Sequence, residues 1–449
     1  MRSMVSPWLE PVGTEVVVRG SGNKPFQRAM NRALVLQALR ARPGISRRDL
    51  AAELGLDRST ISNITGELID ASLVAESSPE AGSDEPEAVK DGGSERWGGQ
   101  AEGRSRSGRG RPPVGLRVLD ERLCALGIEI TAAGYGALVC DNAGRVRYRE
   151  ASNEPIADAD FRESLARLVA EVAERAEADG RSRGSELRVI GAGCAIPGIV
   201  NSRESRLIRS REFSLSDQEL PTRSASAERP IPIVCDNDAH CGAWGEMHAR
   251  TRLAARSAVG DVLAGDGAAA AAGAWARDTN LLFVFGRSSV RHLGVGIGLV
   301  VDGAVRYGGT HTAGEFYSGR WSGDEGSQFS LEPAALARAS GDRSLRAQVF
   351  GELCEGLVPV AGVVDPQAVV FGGLFREHFD EITESARQSA AGQRIADLFS
   401  SSLLATDEIA GGAAALFHEQ LFRVPRYERS SGAALVQWED VIERLKETV

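Results

Sequence analysis

A chain of 449 residues, 42% hydrophobic and 25% charged, can bury the cores of two or three domains, which excludes a peptide, a fibre or a disordered tail as the whole molecule. Its net charge of −10, from 52 basic and 62 acidic residues, excludes a protein that coats nucleic acid over its whole surface. The charge is uneven. Residues 1–76 hold ten basic against eight acidic side chains, residues 77–111 six against seven, and the remaining 338 carry −11, so a polyanion partner is to be sought near the N-terminus. No basic start leads into an apolar run, and no stretch approaches the roughly 18–20 uncharged apolar residues of a membrane span. A cytoplasmic protein with no membrane partner is expected. The cysteines Cys124, Cys140, Cys194, Cys235, Cys241 and Cys354 stand in apolar contexts without paired spacing, which predicts buried free thiols.

Along the chain, residues 27–41 predict an amphipathic helix that ends before Pro43-Gly44. Ser46, with Asp49 three residues on, predicts a helix start; Leu50, Ala51 and Leu54 supply an apolar face and Gly55 a turn. A second helix is predicted from about Arg58 to Asp70, with Ile61, Ile64, Leu68 and Ile69 inward. Two short helices joined at a glycine are the helix-turn-helix pattern, whose second helix enters the major groove. Its outward residues Arg58, Ser59, Thr60, Ser62 and Asn63 are the candidate DNA contacts, since Arg can read guanine, Asn adenine, and hydroxyls phosphates. The alternative is a plain helical hairpin with a solvated polar face.

Ser72–Glu76 and Pro113–Leu119 read as the two strands of a wing, giving a winged helix-turn-helix domain over residues 25–119. Its tip, residues 77–111, is rich in Gly, Ser, Pro and charge and predicts a long flexible segment. It ends in Arg104, Arg106, Arg109 and Arg111 without an intervening acid. Arg109-Gly110-Arg111-Pro112 is similar to the core of an AT-hook, which lays arginines in a narrow A·T minor groove; a solvated charge run is the alternative.

Beyond residue 120, strand-like runs (LCALGIEI, GALVC, RVIGAGCAI, IPIVC, NLLFVF, LGVGIGLVV, AVVFGG) alternate with helical patterns. One of these, 161–178, aligns Phe161, Leu165, Leu168, Val169 and Val172 on one face. The alternation predicts an α/β body. An Ala/Gly-rich stretch at about 254–277 reads as a loose insertion, either helix or loop.

The helix-turn-helix, VIGAGCAIPGIV, PIVCDNDAHCGAWGE, GVGIGLVVDGAVRYGGTHTAGE and DPQAVVFGGLF together resemble the ROK family (repressors, open reading frames and kinases), in particular its winged-helix transcriptional regulators, over residues 27–425. The resemblance implies an actin-like (ribonuclease H-like, duplicated) ROK body with two lobes, a sugar-sensing domain at 120–425. A helical segment at 426–449 completes the expected domain order. Kinase members phosphorylate a sugar in the cleft; repressor members sense one.

Residue by residue, Asn237 and Asp238 match the family's sugar-binding Asn and its base, an Asx turn being the alternative for the pair. Glu315 matches another sugar ligand, and Glu332 the glutamate after the last zinc cysteine. The four zinc-ligand positions read Ser318, Gly323, Glu325 and Ser330, a set that cannot give tetrahedral N/S coordination. No metal is expected, and Ser318, Tyr317 or the nearby His311 is expected to alter ligand choice.

The family's first phosphate loop is replaced by Glu129-Ile130-Thr131-Ala132-Ala133. The second keeps Gly294, Gly296 and Gly298 but has Leu293 for its threonine, and Arg287 to His292 resembles no phosphate loop. The glycines then read as strand-on-helix packing, with no ATP, no cofactor, and Asp238 as a vestigial catalytic candidate.

The expectation is a DNA-binding regulator, a repressor of carbohydrate uptake or catabolism genes. A sugar or sugar derivative would bias lobe closure and so the spacing of the DNA-reading heads. Operator DNA, the sugar effector and a second copy in a homodimer or homotetramer are the partners implied. A ROK-type sugar kinase with an accessory DNA-binding domain is the rival, and a regulator that has lost ligand sensing a third possibility.

Overall fold

Ser46 caps the second helix of the chain, its hydroxyl accepting the N–H of Asp49, and Gly55 closes that helix in the left-handed conformation at φ 63°. These two local signals set the hinge of the N-terminal module. The structure, a computed structural model, describes residues 24–77, 114–156, 160–226, 228–260, 279–288, 293–323, 326–424 and 436–446. The described residues form two compact units: one from Leu34 to Leu119, the other from Asp120 onward together with Lys24 to Ala33.

The first unit contains the C-terminal part of α1 (Lys24–Ala41), then β1 (Ile45–Ser46), α2 (Arg47–Leu54), α3 (Arg58–Asp70), β2 (Val74–Ser77) and β3 (Gly115–Val118). β3 lies between β1 and β2, antiparallel to both, which is a wing. Leu36, Leu39, Leu50, Ile61, Leu68, Leu73 and Leu116 are fully buried. Ile69, expected inward, is only half-buried, and Thr65 takes the buried place. Thr65 is tolerated there because its hydroxyl donates to Ile61 O (2.9 Å) and accepts from Arg47 Nε (3.0 Å). The expected wing tip, with Arg104, Arg106, Arg109 and Arg111, lies outside the described residues.

In the second unit the elements are β4 (Cys124–Thr131), β5 (Gly134–Cys140), β6 (Val146–Ser152), α4 (Phe161–Ser182), β7 (Val189–Ile196), β8 (Ile199–Asn201), β9 (Arg206–Ser210), β10 (Leu215–Glu219), β11 (Ile233–Asn237) and α5 (Asp238–Gly260). They continue with β12 (Leu281–Ser288), β13 (Leu293–Val301), β14 (Ala304–Val305), α6 (Pro333–Leu336), α7 (Arg343–Val364), β15 (Ala368–Gly373), α8 (Leu374–Glu377), α9 (Phe379–Arg387), β16 (Phe399–Ser401), α10 (Glu408–Phe422) and α11 (Trp438–Lys446). α5 carries helix through Gly260, into the stretch expected as a loose insertion.

Two five-stranded sheets repeat one plan. In the first, β4 is central, antiparallel to β5 and parallel to β7, with β6 and β11 at the edges. In the second, β12 is central, antiparallel to β13 and parallel to β15, with β14 and β16 at the edges. This is a duplicated two-lobed body, and β4 and β12 are its equivalent strands. A third small sheet, β10-β9-β8, continues from the first lobe.

α10 packs directly on β4 and β7, and crosses α5, through glycines. A Cβ on Gly127 would run into Ala410 O, one on Gly193 into Ala413 O, and one on Gly412 into Cys241 O. The glycines in LCALGIEI and RVIGAGCAI are thus there for close backbone approach. α7 is long and apolar enough to span a membrane by length and composition, against the sequence expectation. Its Val349, Phe350, Leu353 and Leu357 nevertheless form part of the second lobe's core, as expected of a buried core helix. The six cysteines are free and buried.

Candidate ligand cleft and nucleic-acid interface

The first two turns of α3 carry Arg58, Ser59, Ser62 and Asn63 exposed and Thr60 half-buried, while Ile61, Ile64 and Leu68 on the same helix are buried. The five candidate contacts therefore stand together on the solvent side of the helix. Arg109 and Arg111 are not among the described residues.

In the second unit, Asn237 ends β11 and Asp238 opens α5, because the Asn237 side chain caps that helix. Its Oδ1 accepts the N–H groups of Ala239 (2.8 Å) and His240 (3.2 Å), and its Nδ2 donates to Gly198 O (2.8 Å). The Asx alternative is thus what the backbone adopts here, and one amide hydrogen of Asn237 is left for a ligand. Beside it is a narrow cleft lined by Asn237, His240, His311, Ala313, Gly314 and Glu315, with a volume of about 10 Å³, room for roughly one water molecule.

Glu315 reaches the cleft from a loop laid against β13. Gly314 holds φ 94° with Ile297 O so close that a Cβ would collide with it, and Glu315 bridges to Gly296. Although Glu315 is exposed at the rim, desolvation of its carboxyl raises its pKa; Arg211 opposes the shift and Asp238 adds to it. His311 sits at φ 61° with a buried Nδ1 that has no hydrogen-bond partner. Such a polar atom in a cleft wall is costly unless something outside the fold satisfies it.

His240, one turn into α5, was not singled out from the sequence. Its Nδ1 lies 3.0 Å from Asp236 Oδ1 and its Nε2 3.3 Å from Ala313 O. Both neighbours are acceptors, so both nitrogens donate in the imidazolium form. Burial pulls the His240 pKa down, but Asp236 and the Ala313 carbonyl outweigh it and leave the pKa raised. The ring also meets Tyr307 edge-on at 4.9 Å. A histidine four residues after a strand-end aspartate was the available signal.

Asp238 does not stand free. Arg287, at the end of β12, places NH2 3.0 Å and Nε 3.3 Å from Asp238 Oδ2, and NH2 2.9 Å from Glu129 Oε1. Glu212, in the turn between β9 and β10, has one carboxylate oxygen 3.9 Å from Arg287 Nε. Its other oxygen accepts the N–H of Ala132 at 2.7 Å. The backbone N–H of Ala132, in the segment that follows β4, is therefore occupied by a carboxylate of the same chain. Gly298 and Gly296 lie against Ala239, where a Cβ on Gly298 would meet the Ala239 carbonyl, so they serve close packing of β13 on α5.

Glu332 does not reach this cleft. It is exposed and occupies the N-cap of α6. The adjoining segment is drawn instead to α7, where Glu352 accepts from Ser318 Oγ (2.7 Å), Ser330 N (3.0 Å) and the Ser330 hydroxyl. Two of the four positions that resemble zinc ligands are thus tied together by one buried carboxylate. Burial opposes these hydrogen bonds, yet they hold the Glu352 pKa below its ordinary value. Gly323 is exposed at φ 88°, and Glu325 lies outside the described residues. Among the described residues no group of three His, Cys, Asp or Glu side chains is arranged to hold a metal ion.

Comparison with known proteins places these features. The MarR family signature matches residues 28–82. A xylose repressor of Caldicellulosiruptor bescii is 24% identical over 297 residues, which is 66% of this chain and 59% of that protein. A xylose repressor of Bacillus subtilis is 20% identical over 229 residues, half of each chain. The chain thus spans little more than half the length of these curated relatives. Among solved structures, a ROK family transcriptional regulator described as a homolog of the E. coli MLC protein superposes with a TM-score of 0.55 at 18% identity, covering 94% of this chain and all of that one.

Proposed function

We propose that this chain, which has a MarR-type winged helix at its N-terminus and the fold of the ROK-family transcriptional regulators, is a sugar-responsive DNA-binding repressor without phosphoryl-transfer activity. The observation that carries the second half is the Arg287–Asp238 pair. A general base must be free to take a proton from a sugar hydroxyl, and here its carboxylate is held by a guanidinium at 3.0 Å. Glu212 on the Ala132 amide closes the phosphate side.

The relatives are named for xylose, which makes D-xylose the first effector to test. Asn237, His311 and Glu315 are its proposed contacts, with His240 as part of the wall. The first supplies an amide hydrogen, the second an unsatisfied ring nitrogen and the third a carboxylate, which together suit vicinal hydroxyls. Asp238 bounds the site from behind Arg287. On DNA, Arg58, Ser59, Thr60, Ser62 and Asn63 would meet the major groove, and Arg109 and Arg111 the adjoining minor groove. Two such heads on a two-fold dimer, or in a tetramer, would span half-sites one helical turn apart. The genes controlled would serve carbohydrate uptake or catabolism, and the protein would act in the cytoplasm.

One observation favours the kinase reading: Asp238 still stands at the head of α5 beside the cleft. A coupled assay for ADP release with ATP and a panel of pentoses and hexoses separates the two. The proposal expects no turnover above background. Sugar-dependent ADP release that disappears in Asp238→Asn would overturn it.

A further inference from the structure

We infer that Arg287 is an internal latch that draws the two lobes together across the effector cleft. β4 and β12 are the equivalent central strands of the two sheets. Glu129 and Arg287 sit near their ends, and the two side chains meet at 2.9 Å. From the second lobe Arg287 also reaches Asp238 at the head of α5 (3.0 Å) and Glu212 in the β9–β10 turn of the first lobe (3.9 Å). One guanidinium thus gathers three carboxylates that come from three separate segments of the chain.

The closed arrangement depends on the guanidinium for its electrostatic balance. With Arg287 in place, the carboxylates are bridged. When the lobes part, Arg287 stays with Asp238 at the head of α5, which packs on β12 and β13 of the same lobe, while Glu129 and Glu212 lose their counter-charge and are left as neighbouring like charges. Packing supports the seated form, since the guanidinium lies 5.2 Å from the centre of the Phe285 ring. Even when bridged, Glu129 retains a raised pKa, from burial first and then from Asp238 and Glu212. The guanidinium therefore only partly offsets the crowding.

The latch bears on ligand access because the cleft beside it has room for about one water. A pentose is larger than that, and parting of the lobes would widen the cleft for it. Any stabilisation of the closed form lowers the fraction of protein competent to bind, and so the apparent affinity, in proportion. This inference deepens the effector-site reading of the cleft by naming what regulates access to it. The latch itself can be read out without sugar or DNA, so its failure would leave that reading standing.

The test uses the full chain with paired spin labels on cysteines introduced at Glu174 on α4 and Val363 on α7. Both positions are exposed, and the six native cysteines are buried and should not label. Double electron–electron resonance is then recorded for the otherwise unchanged protein, for Arg287→Met and for Glu129→Gln. The latch predicts longer or broader inter-lobe distances in both variants, larger for Arg287→Met. Should Arg287→Met fail to fold, the milder Glu129→Gln decides alone: a distribution that superposes on that of the unchanged protein overturns the inference, and a lengthened one supports it.

Discussion

Replacing Glu408 by glutamine should raise stability at pH 8 by about 3 kcal/mol and leave it almost unchanged near pH 4. Glu408 opens α10 and is buried. One carboxylate oxygen accepts the Gly373 N–H at 2.5 Å, the other has no hydrogen-bond partner, and Arg376 Nε stands 3.8 Å away. Burial, only partly offset by the Gly373 N–H and Arg376, pushes the pKa from 4.5 to about 7. The folded protein therefore holds this proton more tightly than the unfolded chain does. Stability from the protonated group is complete below about pH 4.5 and is lost as pH rises through about 7. A gap of roughly 2.5 pK units at 1.36 kcal/mol each gives about 3 kcal/mol. Glutamine keeps an acceptor for Gly373 and never ionises, so it avoids that loss. With an unfolding entropy of about 2.1 cal/mol/K per residue over roughly 300 body residues, the variant should melt about 5 °C higher at pH 8. Scanning calorimetry of both proteins from pH 5 to 8.5 measures this. A gain that is the same at both ends of the range, or no gain at all, would refute titration of Glu408 as its source.

Other outcomes follow from the same geometry. Arg58→Ala and Asn63→Ala should each weaken binding to the preferred operator by about 1–3 kcal/mol and binding to unrelated duplexes much less; in fluorescence anisotropy, equal losses on all sequences would mean phosphate contact only. The double change Arg109→Ala with Arg111→Ala should act most on operators with A·T-rich flanks, and no difference between A·T and G·C flanks would reject the minor-groove role. Glu352→Ala strands two serine hydroxyls and an amide, at about 1–3 kcal/mol for each donor left unsatisfied, and should lower the melting temperature. EDTA or phenanthroline should leave the unaltered protein's melting unchanged, and a fall on chelation would contradict the assignment of that loop to Glu352.

The helix-turn-helix was legible because its signals are local. A capping serine, a left-handed glycine and apolar spacing all act within a few residues, and they set the boundaries of α2 and α3. The strand runs of both lobes were legible for the same reason, being apolar and, in β7, β11, β12 and β15, buried on both faces over most of their length. β6, with its alternating VRYREAS, the three-residue β8 and the largely polar β9 and β10 were not legible, because their pairing rather than their composition makes them strands. Thr65 shows the limit of apolar patterning, since a hydroxyl bonded back to Ile61 passes for a core residue.

In the cleft, Asn237, His311 and Glu315 come together, whereas Glu332 is turned away because the neighbouring serine is tied to α7. Arg287, Glu212 and Glu352 carried no local signature. Each acts on a partner tens of residues or more away, so the spacing along the chain does not reveal it. A residue that replaces a ligand need not resemble the residues that bind one.

The most direct test of the account titrates the purified full-length chain, by fluorescence anisotropy, onto a duplex that the protein has selected from a random pool. The titration is run with and without D-xylose, in the presence and absence of ATP. The account predicts that sugar alone weakens DNA binding, that ATP changes nothing, and that Glu315→Ala abolishes the response while the sugar-free affinity stays. DNA affinity indifferent to every sugar tested, together with ATP-dependent phosphorylation of one of them, would contradict it.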